Sequence, residues 1–256
     1  MKEKICRGRK PVLDLLTKTP FLCSRLLIAD NVKTPFLDEI LQAAKKAQVK
    51  YEIIAPSMLD KISKGERHQG VICELKSNRT KPLELEEFLK NLDAEKPVLI
   101  VILDHIEDPH NLGAIIRSAE AGGACGVIYA KKRAAWPNDT VIKTSAGASL
   151  RLPLIQVSNI AATLERLKKL NFWIIGLSEK SDISIWSEKM PARSVLVVGS
   201  EGSGLSRLVM EKCDFLLKIP IKKDSAGSLN ASVAAALGIF EWARVNSIRN
   251  IGSRNE

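Results

Sequence analysis

The sequence predicts an α/β fold: a C-terminal, mostly parallel sheet with helices on both faces, preceded by a small α/β/α domain. Three observations predict it. Short apolar runs alternate with helical stripes along the second part of the chain, and such alternation builds parallel sheets covered on both sides. A shorter set of the same elements precedes residue 78. Finally, glycines and polar residues gather where three apolar runs end, in Val98–Gly123, Val195–Gly204 and Phe215–Glu241. Loops at the carboxyl ends of strands are where open α/β sheets place ligands.

In the first part, Pro11–Thr17 reads as a helix with proline at its start. Arg25–Ile28 is a short strand, and Pro35–Gln48 carries a helical stripe at Phe36, Ile40, Leu41 and Ala44. A strand at Tyr51–Ile54, a short helix at Ser57–Ser63 and a strand at Gly70–Leu75 complete residues 1–78. Polar Arg79–Lys96, between Pro82 and Pro97 and with one short helical turn, is the expected linker to a domain over 97–256. There the expected strands are 98–103, 126–130, 153–157, 172–177, 194–199 and 215–219. The expected helices are 112–121, 139–146, 160–170, 205–212 and 230–246, with a polar tail after Asn246.

The 256 residues suffice for two modest domains. Lys and Arg number 39 against 29 Asp and Glu, a net charge of +10 that favours a polyanionic partner, most often nucleic acid. The excess is densest in residues 1–78, with 15 basic and 9 acidic groups. The start of the chain is not apolar like a signal peptide, and no run is long enough for a membrane span. The five cysteines are scattered and form no Cys-x-x-Cys pair, which predicts reduced, mostly buried thiols in a cytoplasmic protein. His68, His105 and His110 have no ligand spacing, so no metal is expected.

Several polar residues stand out in the three strand-end loops. Asn111 can cap its helix or meet a ligand. Arg117 lies on an otherwise apolar helix, where a guanidinium either seeks an anion or snorkels to the surface. Gly199-Ser200-Glu201-Gly202-Ser203-Gly204 lets backbone groups face a ligand but matches neither the dinucleotide nor the P-loop fingerprint. Glu201 can bond a ligand or cap the next helix. Ser228, before Leu229 and Asn230, can cap the last helix, whose small face Ala231, Ala234, Ala235 and Gly238 suits a core or a subunit interface. The chain has no nucleophile elbow of the hydrolase kind.

These three motifs, in this order and spacing, resemble the SpoU/TrmH branch of the SPOUT superfamily of RNA ribose 2′-O-methyltransferases. Thr144–Ala148 (TSAGA) and Leu152–Val157 also look like that family. Arg67-His68-Gln69-Gly70 looks like the end of the small domain of its two-domain members, and the two-domain form looks most like those members that modify a guanosine of large-subunit ribosomal RNA. The resemblance implies a deep trefoil knot, bound S-adenosylmethionine, a homodimer with Asn230–Asn246 near the interface, and an RNA-binding N-terminal domain. It implies cofactor contacts from Gly199, Gly202, Ile219 and Leu229, and catalytic roles for Asn111, Arg117, Glu201, Ser228 and Asn230. Arginine is proposed in that family as the base, although a guanidinium holds its proton tightly and more easily binds a phosphate. One departure is the loop Ile221–Gly227, longer than the family pattern, where Lys222 and Lys223 add possible phosphate contacts. The rival readings are a transfer-RNA methyltransferase and a non-catalytic RNA-binding protein.

Overall fold

The computed structural model of the protein describes residues 5–32, 35–75, 83–131, 139–187, 189–222 and 228–246. The chain divides into two units, Met1–Lys81 with Pro137–Arg151, and Pro82–Trp136 with Leu152–Glu256.

The first unit is a four-stranded mixed sheet, β1 (Ile5–Arg7), β2 (Cys23–Ala29), β3 (Tyr51–Ile54) and β4 (Val71–Leu75), in the order β1-β4-β2-β3. Its first helices are α1 (Arg9–Lys18), α2 (Pro35–Lys46) and α3 (Pro56–Ser63). β1 was not expected, because three residues are too few to show a period. Cys6 pairs with Cys73 across the β1–β4 ladder, and both are fully buried. Burial pushes the Cys6 thiol up to about 12. The Cys73 thiol is also raised, first by its hydrogen bond with Cys23 and then by burial.

The Arg67–Gly70 motif acts as a clasp. Gln69 Oε1 accepts from Arg9 N at 3.0 Å and so caps α1, whose N-cap residue Gly8 has no side chain to do so. His68 Nδ1 accepts from Gly70 N at 3.1 Å, which leaves Nε2 to donate to Asp60 Oδ1 at 2.9 Å. Gly70 has φ +81°, and a Cβ there would lie 2.2 Å from Val32 Cγ2, so glycine is required twice over.

The second unit begins within the expected linker. Leu83 N donates to Leu154 O, and α4 (Leu85–Lys90) follows. Phe88 anchors α4 in the core at 3 % exposure, close against Gly126, so Pro82 onward belongs to this unit. One aromatic anchor in a short helix carries too little period to be read as core. The large sheet is β5 (Val98–Asp104), β6 (Gly126–Ala130), β7 (Leu154–Val157), β8 (Trp173–Leu177), β9 (Arg193–Gly199) and β10 (Phe215–Leu217). Its order is β10-β8-β9-β5-β6-β7, and every neighbouring pair is parallel. All carboxyl ends therefore meet at one edge.

Central β5 is buried along its whole length. Val98, Ile100 and Ile102 share a core cluster with Phe88 and with Leu164 and Leu167 of α7 (Ile160–Lys168). Leu196 of β9 instead meets α9 (Ala231–Asn246), where a Cβ on Gly238 would come within 2.8 Å of its side chain. α9 also packs on α5 (Pro109–Ala121), and Gly122 makes room for Ile239. Among the described residues no helix is long and apolar enough to cross a membrane, and no group of three or more His, Cys, Asp or Glu side chains is placed to hold a metal.

Several expected elements differ in their bounds, three of them for a visible reason. α5 starts at Pro109 rather than 112, because Asp108 caps it by accepting from His110 N at 2.9 Å. α6 (Asp139–Thr144) is shorter than 139–146, since Ser145 Oγ donates to Ile142 O and Ala146 and Gly147 take left-handed backbones. α6 also belongs to the first unit, where Ile142 enters the core. The last strand stops at Leu217, beyond which Lys218 bridges to Ser184. The expected loop residues 223–227 and the tail after Asn246 lie outside the described residues.

Phe88→Ala should lower the stability of the second unit by about 3–5 kcal/mol, measured by urea unfolding. An unchanged midpoint would return α4 to the status of a linker.

Candidate active site

The carboxyl ends of β8, β9 and β10 surround a cavity of about 540 Å³, within the ~300–1,000 Å³ range of small-ligand sites. All four expected cofactor residues, Gly199, Gly202, Ile219 and Leu229, line it, together with Glu201 and Ser228. Its wall at Leu177–Lys180, the end of β8, was not anticipated. β8 lies between β9 and β10 in the sheet, and that adjacency has no local signature in the sequence.

The Gly-rich loop after β9 folds back on itself. Ser200 and Gly204 exchange backbone hydrogen bonds of 3.1 and 3.0 Å. A Cβ on Gly199 would sit 2.2 Å from the carbonyl carbon of Gly204, so only glycine allows this approach, whereas Gly202 faces open space. The loop exit is tied to β5. Asp104, 1 % exposed, accepts from Ser206 N at 2.7 Å and from His105 Nδ1 at 2.7 Å. This anchor delays α8 (Arg207–Glu211) from the expected start at 205. Sequence reasoning missed Asp104 because an acid at the end of an apolar strand usually faces water. His105, next to it, is held in a left-handed backbone with φ 62°, which the residue types alone do not show.

Glu201 is drawn to two asparagines. Asn111 Nδ2 donates to Glu201 Oε1 at 3.0 Å, Asn230 Nδ2 donates to Asn111 Oδ1 at 3.1 Å, and Asn230 Nδ2 also donates to Glu201 Oε1. Asn230 Oδ1 caps α9 by accepting from Ser232 N at 2.9 Å and from Ser232 Oγ at 2.6 Å. That cap fixes which end of the carboxamide points at the trio. Asn230, not Ser228, therefore caps α9, and Asn111 caps nothing. Glu201 takes both bonds on one oxygen. Among the described residues its Oε2 has no partner, which leaves an acceptor for a hydroxyl.

Arg117 does not join the trio. Six residues after Asn111 on α5, it lies about 9 Å further along the axis and turned by about 120°. It is exposed, and among the described residues no carboxylate pairs with it. It is free for an anion from outside.

A six-stranded parallel sheet with a small-ligand cavity at its carboxyl edge, and an Asn-Glu-Asn cluster beside that cavity, describes a ligand-binding protein of the open α/β kind. The chain belongs to the SpoU rRNA methylase family, which it matches over residues 98–240, and residues 7–81 match the RNA 2′-O ribose methyltransferase substrate-binding domain. It is 37% identical over 241 residues to the 23S rRNA (guanosine-2′-O-)-methyltransferase RlmB of Escherichia coli (strain K12), covering 94% of this chain and 98% of that one. It is 38% identical over 241 residues to the putative TrmH family tRNA/rRNA methyltransferase YacO of Bacillus subtilis (strain 168), covering 93% and 94%. The crystal structure of the SpoU methyltransferase AviRb from Streptomyces viridochromogenes with AdoMet superposes with a TM-score of 0.75 at 25% identity, covering 95% of this chain and 90% of that one.

Asp104→Ala removes the shared acceptor of Ser206 N and His105. It should cost about 1.5–3 kcal/mol, read as a lower urea midpoint. Wild-type stability would show that the Gly-rich loop holds its exit without this carboxylate.

Proposed function

We propose that this protein transfers a methyl group from S-adenosylmethionine to a ribose 2′-hydroxyl of ribosomal RNA, at a guanosine of the large-subunit RNA. The observation that carries the reading is the Asn111–Glu201–Asn230 cluster with an open carboxylate oxygen, beside a cavity of cofactor size. The cavity's chemistry fits the cofactor. Leu205, Leu229 and Met210 offer apolar surface, Glu179 and Glu201 suit its cationic centres, and Lys180 and Lys218 suit its carboxylate. The bound sulfonium supplies an already activated methyl group.

The protein's task is alignment and charge. In this reading Glu201 Oε2 accepts the hydrogen bond of the 2′-hydroxyl, and Ser228, also on the cavity wall, offers a second polar contact. Asn111 and Asn230 hold the carboxylate in place. Arg117, exposed and outside the trio, binds the adjacent phosphate.

The name of the E. coli relative supports ribosomal RNA and guanosine, and the +10 net charge supports a polyanionic partner. In this reading the first unit binds RNA and the second unit carries the chemistry, in the cytoplasm. A second copy of the chain covers α9. Val233 and Phe240 are exposed at 46 % and 44 %, with Ala236 and Leu237 half-buried between them, and this spacing forms one apolar stripe.

The test is incubation with methyl-labelled S-adenosylmethionine and unmodified ribosomal or transfer RNA transcripts, followed by alkaline digestion. Label in an uncleaved dinucleotide from ribosomal RNA is expected. Label from transfer RNA alone would overturn the substrate, and no label from free RNA or assembled particles would favour the non-catalytic reading. Gly199→Ala, which forces the loop backbone apart, should weaken cofactor binding more than tenfold by calorimetry, on the order of 1.4 kcal/mol or more. Arg117→Ala should cut turnover on the order of 100-fold with cofactor affinity unchanged; equal losses in both would contradict its assignment to the phosphate.

A further inference from the structure

The first unit carries cations that neither its core nor its ion pairs use. α6 joins this unit by packing on β1. Ile142 enters the core at 6 % exposure, and the next residue, Lys143, is exposed. Lys143 lines a notch of about 20 Å³ together with Ile5, Arg7, Pro11, Glu66 and Arg67. Arg7 is ion-paired with Glu66 at 2.8 Å, so the one carboxylate of the notch is already engaged. Among the described residues no acid pairs with Arg67 or Lys143. Arg9 and Lys10, both exposed, precede Pro11 at the rim, and the Arg9 guanidinium lies 5.0 Å over the Phe36 ring.

We propose that this notch is a phosphate-binding cleft for the RNA strand, built jointly by the N-terminal fold and α6, with Lys143 and Arg67 as its contacts. It rests on the RNA reading above and adds to it a residue from beyond the substrate-binding domain, which matches only residues 7–81. Size selects the ligand group. A space of about 20 Å³ admits roughly one water-sized group, enough for a phosphate oxygen and too small for a base. Among the described residues no aromatic side chain lines it, so stacking is not its mode of binding. Contacts of this kind fix the position of the strand without reading its sequence. The joint construction ties RNA docking to a segment that lies in sequence between β6 and β7 of the catalytic sheet.

The experiment measures binding of a ribosomal RNA transcript by fluorescence anisotropy over a series of KCl concentrations, for the full chain and for R67E, K143E and K143Q. A K45E/K46E variant, at the end of α2 and outside the notch, is the control for net charge. R67E and K143E should each weaken binding several-fold and lower the slope of log affinity against log salt by about 0.7–0.9. K143Q should lower the slope without the full loss, and the control should lose much less. Cofactor affinity should stay at the wild-type value in all variants. Loss with R67E but not with K143E or K143Q would overturn the joint cleft. A loss in the control equal to that of the notch variants would overturn the site in favour of diffuse charge. Failure of the wild-type chain to bind RNA would instead remove the proposed function.

Discussion

The close approach of Gly199 to Gly204 is the constraint on which the site depends. A side chain at Gly199 would collide with backbone, which cannot swing aside as a side-chain tip can. The loop can reverse within five residues only because that atom is missing. The reversal sends Ser200–Gly204 over the end of β9, where the loop lines the cavity and Glu201 reaches Asn111 and Asn230. Asp104 holds the other end. Its register partner in the sheet is Gly199 itself, so one carboxylate ties the end of the strand beside the loop's entrance to the loop's exit at Ser206. A polar group that deep is costly unless its hydrogen bonds are made, and both of its partners are in place.

Asn230 links this local geometry to the helices. Its carbonyl caps α9 while its amide group completes the trio. The position of α9 is in turn set by contacts far from the cavity, Gly238 against Leu196 and Ile239 against Gly122. Helix packing and site alignment are therefore one problem. A shift of α9 along the sheet moves the Asn230 amide, and Glu201 then loses a donor. This explains why the last helix combines small residues, which let it sit close, with a polar residue at its first turn.

Most of the large sheet was legible in the sequence because its strands are continuous apolar runs with distinct turn residues between them. The three loops were legible as one site because parallel strands bring their carboxyl ends together. Residue roles were less so. Asn111 and Ser228 were both plausible caps by type, yet Asp108 and Asn230 do the capping, because which of several neighbouring polar groups reaches a free backbone N–H depends on the turn before it. Asp104 and the β8 wall depend on strand order, which no local pattern encodes. β1 and α4 were too short for a period to show. Arg117 stood out on an apolar helix, and the structure leaves it exposed, so its role depends on what approaches from outside.

The segment Pro137–Arg151 shows how chain order and spatial order part company. By sequence it lies between two strands of the catalytic sheet, and its TSAGA run falls inside the expected 97–256 domain. In space α6 completes the first unit, with Ile142 supplying core contact and Ser145 tying the turn through Ile142 O and Ser149. Periodicity cannot reveal this, since a short amphipathic helix shows which face is apolar but not which surface it meets. The consequence is physical rather than formal. A loop anchored only at its ends in one sheet would be free to vary, whereas one whose middle is buried in another unit's core must keep its apolar residue, its left-handed turn at Ala146 and Gly147, and its length. The same burial holds Lys143 at the surface beside Arg67, so a residue chosen by the packing of its neighbour becomes part of the charged face.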